Sequence, residues 1–135
     1  MAEPASLTLA ARLDNLAAFS AAVVAAARLH GLEESRLGAI ELALEEALVN
    51  IFSHAFPEGD GEVTVTCMAD ENSRFVIRIE DDGPPFDLLA REAPDVTASL
   101  DERTPGGLGI HLIRQVMDTV TYARQHGRNV LTLIP

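Results

Sequence analysis

In the stretch LEEALVNIFSH, residues 44–54, a carboxylate, an amide and an imidazole recur at one-turn spacing: Glu46, Asn50 and His54. On a helix advancing about 100° per residue these three share a side. Leu37, Ile40, Leu44, Leu48, Ile51 and Ala55 form an apolar stripe on the opposite side, with Leu42 and Val49 at its flank. Ala39, Ala43 and Ala47 stand beside Glu46 and Asn50, so the polar groups rise from a surface of small side chains. A merely solvated helix face would carry Lys, Glu and Gln there. An amide oxygen suits a hard cation such as Mg²⁺, and a carboxylate one turn away can accept a proton. Glu45 turns about 100° away and lies outside this set.

Two further stretches supply complementary chemistry. In RFVIRIEDDG, period-two alternation puts Phe75, Ile77 and Ile79 on one face, and the same count places Asp81 inward while Glu80 and Asp82 point away. An inward carboxylate is costly without partners. It either caps amides of the DDGPP turn or accepts hydrogen bonds from a ligand's amino group, with Gly83 letting a flat ring approach the backbone. In PGGLGIHLIRQ, Gly106, Gly107 and Gly109 open a helix whose exposed N–H groups attract phosphate. The stretch lacks the GK[ST] of a P-loop and follows no strand, so it is not a dinucleotide fingerprint. Together the three pieces predict a nucleotide site between a helix layer and a sheet.

The elements that must position these groups follow from patterning. Residues 6–11 form a short first strand; an alanine-rich helix runs from an N-cap at Asp14 to a C-cap at Gly31. A second, longer helix ends before Pro57 and Gly59. EVTVTCMA and RFVIRIE alternate as a hairpin around DENS. A loop of about twenty residues from DDGPPFD to DERTPGG is long for a small domain and reads as a lid. GIHLIRQVMD is a short helix, and TVTYARQ and RNVLTLI close the chain as a hairpin around HG. The expected fold is α+β, one layer of helices on a mixed, mostly antiparallel sheet.

Composition narrows the function classes. The chain has 135 residues, 47% hydrophobic, which suits a single domain over 1–135. Acidic residues outnumber basic ones 21 to 10, a formal charge of −11, so neither nucleic acid nor anionic membrane is the expected partner. A protein with a basic patch is. No membrane-span-length apolar run or signal peptide stands out, and a cytoplasmic location is the expectation. The single Cys67 alternates with Val63 and Val65 and reads as a small core residue; the histidines show no zinc spacing.

The three stretches resemble the GHKL ATPases of the Bergerat fold, a two-layer sandwich with an ATP lid, and more narrowly the bacterial anti-sigma factor serine kinases. EEALVNIFSHAF is similar to the family's N box, EDDGPPFD to its G1 box and GGLGIHLIRQVMD to its G2 box. The resemblance implies ATP and Mg²⁺ as cofactors. By position it makes Glu46 the catalytic base, Asn50 the Mg²⁺ ligand and Asp81 the acceptor for the adenine amino group, with Gly83 beside it. Gly107, Leu108 and Gly109 fall at the phosphates. His54 either contacts phosphate or caps its helix. Arg103 is the nearest basic residue ahead of the G2 glycines and the candidate phosphate-contacting arginine of the lid. Pro105 replaces a glycine common in the family, which leaves nucleotide binding a firmer implication than phosphoryl transfer.

A sensor histidine kinase needs a phospho-accepting helical domain for which this chain has no room. The resemblance therefore implies a histidine kinase-like ATPase domain acting on another protein. It would be an anti-sigma factor and serine/threonine-protein kinase that phosphorylates a small anti-sigma antagonist of the STAS type, or binds a sigma factor, in a partner-switching pathway. Related kinases form homodimers. The alternative is a non-catalytic module that binds ATP and sequesters a partner.

Overall fold

The computed structural model describes residues 4–58, 60–90 and 107–135. In chain order these form β1 (Ala5–Ala10), α1 (Leu16–His30), α2 (Glu34–Ala55), β2 (Glu62–Ala69), β3 (Phe75–Asp81), α3 (Gly107–Val116), β4 (Thr119–Gln125) and β5 (Arg128–Ile134). Short 3₁₀ turns occupy Leu13–Asn15 and Leu88–Ala90. The element order is the expected one. Where a parallel pair was allowed for, every described pairing is antiparallel, in the order β1-β2-β3-β5-β4. The cause is that β4 and β5 return as a hairpin whose second strand inserts beside β3.

Alternation sorts each strand between two faces. Val63, Val65 and Cys67 of β2, Phe75, Ile77 and Ile79 of β3, and Leu131 and Leu133 of β5 turn inward and are buried. The helices cover that face: Phe19, Val23 and Ala27 from α1, Leu37, Ile40, Leu44, Leu48 and Ile51 from α2, and Ile110 and Ile113 from α3 complete the core. The outer face carries short hydroxyl side chains, with Ser6 bonded to Thr66 at 2.9 Å and Thr8 to Thr64 at 2.7 Å. Among the described residues no helix is long and apolar enough to cross a membrane.

Local chemistry explains most of the boundaries. Gly31 adopts φ 103°, and its N–H and that of Leu32 return to the carbonyl of Ala27 at 3.2 and 3.1 Å, closing α1 as expected. The β4–β5 turn places His126 and Gly127 at φ 52° and 76°, the two-residue form that matches strand twist. Asp14 is not the N-cap of α1. It sits in the 3₁₀ turn paired with Arg12 at 3.3 Å, and the N–H of Leu16 is already satisfied by the Leu13 carbonyl. Asn15 precedes the helix instead, and its Nδ2 donates to the Ala10 carbonyl at 2.8 Å, tying helix to strand.

Candidate functional site

The end of β3 meets the start of β5 and the C-terminal half of α2. Asp81 falls on the inward face, as the alternation predicts, and is only 2% exposed. Its Oδ1 accepts the N–H of Gly83 at 2.9 Å and Nδ2 of Asn129 at 2.9 Å. Both alternatives for the carboxylate therefore start from the same fact: it caps the turn with one oxygen. A narrow slot beside Asp81 is walled by Ile51, Ile79, Leu131, Phe86 and Leu88, apolar except at the carboxylate end. It encloses about 10 Å³, room for one water-sized sphere, so a planar base enters only with some movement of the lining side chains.

Gly83 also has close neighbours within the protein itself. A Cβ there would lie 3.0 Å from Cζ of Phe56 and 3.1 Å from Oδ1 of Asp81, so the space is already taken by the protein's own ring and carboxylate. The glycine lets the turn close over both.

On α2, Asn50 is buried, and its Nδ2 donates to the Glu46 carbonyl at 2.7 Å. This back-bond to the preceding turn orients the amide. Glu46 is half-buried against α3: a Cβ built on Gly109 would collide with its Oε2. The carboxylate of the first stretch and the glycine-rich helix start of the third are thus adjacent. Gly107 and Leu108 open α3. Ala43 and Ala47 are fully buried rather than bordering open space, because α2 packs against α1 on one side and α3 on the other; Ala39 is exposed. Glu45 lies outside the site, accepting from the hydroxyl of Ser20 at 3.0 Å.

The His54 ring stacks on Phe86, with centroids 5.0 Å apart and planes inclined by 24°. Arg103 lies outside the described residues. Among the described residues no cluster of three or more His, Cys, Asp or Glu could hold a metal alone. A Mg²⁺ here would fit only as an ion shared between the Asn50 amide and phosphate oxygens, the usual arrangement for this cation.

Three residues were missed by pattern reading. Asn129 sits opposite Asp81 in the β3–β5 register. Tyr122 and Arg124 of β4 both bond to its Oδ1, and Arg124 reaches the Gly83 carbonyl at 2.7 Å. An asparagine two residues past HG reads as turn chemistry; only the strand register reveals its partner.

A sequence profile of the histidine kinase-like ATPase domain matches residues 9–134. The chain belongs to this family. Membership assigns it to an ATP-binding class of domain. The chain is similar to the serine/threonine-protein kinase BtrW of Bordetella bronchiseptica, 35% identical over 94 residues, covering 70% of this chain and 66% of that protein. It is also similar to the serine-protein kinase RsbW of Listeria monocytogenes, 35% identical, covering 68% and 61% of the two chains. RsbW of Bacillus cereus is 27% identical over 133 residues, covering 96% and 82%. The first two matches thus span less than two thirds of those relatives' own length. Among solved structures, the RsbU and RsbW domains of Rv1364c from Mycobacterium tuberculosis share the fold with a TM-score of 0.67 at 15% identity, covering 98% of this chain and 32% of that one.

Proposed function

We propose that the chain is an ATP-dependent anti-sigma factor and serine-protein kinase that phosphorylates a small STAS-type antagonist and binds a sigma factor in a partner-switching pathway. The observation that carries this reading is the contact between Glu46 of α2 and Gly109 of α3, one turn from Asn50. It sets a carboxylate beside the start of α3 and one turn from an amide, which supports the reading, and similar proteins are named serine/threonine- and serine-protein kinases. The profile match over 9–134 supports reading the chain as one such domain.

Mg·ATP, when bound, supplies the phosphoryl group and neutralises its charge. The chain's own residues do the rest. Asp81 would accept a hydrogen bond from an amino group at the end of the slot, the start of α3 would hold the phosphates through backbone N–H groups, and Asn50 would offer its amide oxygen to the metal. Glu46 accepts the proton of a serine hydroxyl brought by the partner. The acidic surface favours a partner with a basic patch. A cytoplasmic location and a homodimer belong to the same proposal.

Calorimetry of the chain with Mg·ATP, joined to transfer of labelled phosphate to a STAS-domain protein, tests the proposal. Glu46→Gln is expected to lower transfer by about 10²- to 10⁴-fold with ATP affinity nearly unchanged, and Asp81→Asn to weaken binding. The second reading, a non-catalytic ATP-binding module, is favoured by Pro105 at a usual glycine position. ATP binding by the parent protein without transfer would establish that reading instead.

A further inference from the structure

We infer that the β4–β5 hairpin is a positioning device for base recognition, in which Asn129 aims the Asp81 carboxylate and ties down the turn that walls the slot. This rests on the ATP-binding reading above and deepens it.

Asn129 is 4% exposed, and its amide is fully engaged. Nδ2 donates to Asp81 Oδ1 and to the Pro84 carbonyl, each at 2.9 Å. Oδ1 accepts from the N–H of Phe86 at 3.1 Å, Nη1 of Arg124 at 3.2 Å and the Tyr122 hydroxyl. This pattern admits one orientation. Flipping the amide would set its oxygen against a carboxylate and a carbonyl, and its NH₂ against an N–H and a guanidinium. Tyr122 and Arg124 therefore fix which end of Asn129 faces Asp81.

The consequence lies at the carboxylate. Both bonds that the described residues make to Asp81 fall on Oδ1. That holds the group in one rotamer and leaves Oδ2 as the acceptor for a ligand donor. The same hairpin fastens the following turn at three points: the Gly83 carbonyl through Arg124, the Pro84 carbonyl and the Phe86 N–H through Asn129. Phe86 is a wall of the slot. The network joins the buried carboxylate to a wall of the slot. Asn129, Tyr122 and Arg124 are thus positioning residues, and what they set is the preference for a base bearing an amino group.

The test compares ATP with ITP, whose base carries an oxygen where adenine carries the amino group, by calorimetry on the parent chain, Asn129→Leu and Tyr122→Phe. The parent is expected to prefer ATP. Asn129→Leu should weaken ATP by about tenfold, the loss of one charged hydrogen bond, while ITP affinity stays unchanged, so the ratio collapses. Tyr122→Phe keeps the ring and should lower the ratio in the same direction by about threefold. Equal losses for both nucleotides, or an unchanged ratio in both variants, would overturn the inference while leaving ATP binding standing. Should Asn129→Leu not fold, Tyr122→Phe alone decides: an unchanged ratio overturns the inference. Failure of the parent to bind ATP would refute the ATP reading itself and take this inference with it.

Discussion

The carboxylate of Glu46 is held where it is by what α3 lacks. Alanine at position 109 would put a methyl group into Oε2, and that oxygen ends a flexible chain that can swing away. The helix itself gains from alanine, by up to about 1 kcal/mol. Gly109→Ala is therefore expected to leave the melting temperature unchanged or slightly raised while cutting phosphate transfer by at least about tenfold. A variant that transfers phosphate at the parent rate would show that the Glu46 position is not critical. At this scale the legibility of the sequence was uneven. Asp81 could be placed by counting in twos from Phe75, because one buried face enforces the register. Asn129 could not, since its significance comes from a partner 48 residues away across the sheet. The stacking of His54 on Phe86 was equally hidden, because it joins a helix end to a loop whose path no periodicity reveals.

Among the elements, the β2–β3 hairpin shows how a single acid can hold a turn. Oδ1 of Asp70 accepts the N–H groups of Asn72 and Arg74, both at 2.9 Å, and Oδ2 accepts Nε of Arg74 at 2.9 Å. The Arg74 N–H, with help from its guanidinium and from Asn72, holds the Asp70 carboxyl below the usual carboxylate range. A depressed value means stability that is present above the unfolded-state pKa of about 3.9 and is lost as pH falls through the folded one. Urea melts should find Asp70→Asn less stable than the parent at pH 7, with the gap narrowing below about pH 4. A gap unchanged at low pH would mean that the charge is not what matters. Strands were read most accurately here: β2 runs over Glu62–Ala69 as alternation demands. The start of α1 was misread because a 3₁₀ turn feeds the helix directly and removes the need for an Asp14 cap.

For the whole molecule, the helices all lie on one face, and the core they enclose includes Cys67. Burial pushes its thiol up to about 11, so very little thiolate exists at pH 8. A thiol reagent is expected to label the native protein at least roughly a hundredfold more slowly than an unstructured thiol, with the rate rising in urea along the unfolding curve. Rapid labelling in native buffer would mean that the β1 edge opens on its own. The acidic balance and the order of helices and strands were legible at this scale. The antiparallel pairing throughout was not, because it depends on β5 inserting between β3 and β4. That insertion has a temporal consequence. As the ribosome extends the chain, Asp81 emerges with β3 but cannot meet Asn129 until 48 more residues are made, a delay on the order of seconds at ordinary elongation rates. Throughout that interval β3 is an unzipped edge, and the acid at its end waits without the amide that later fixes its orientation.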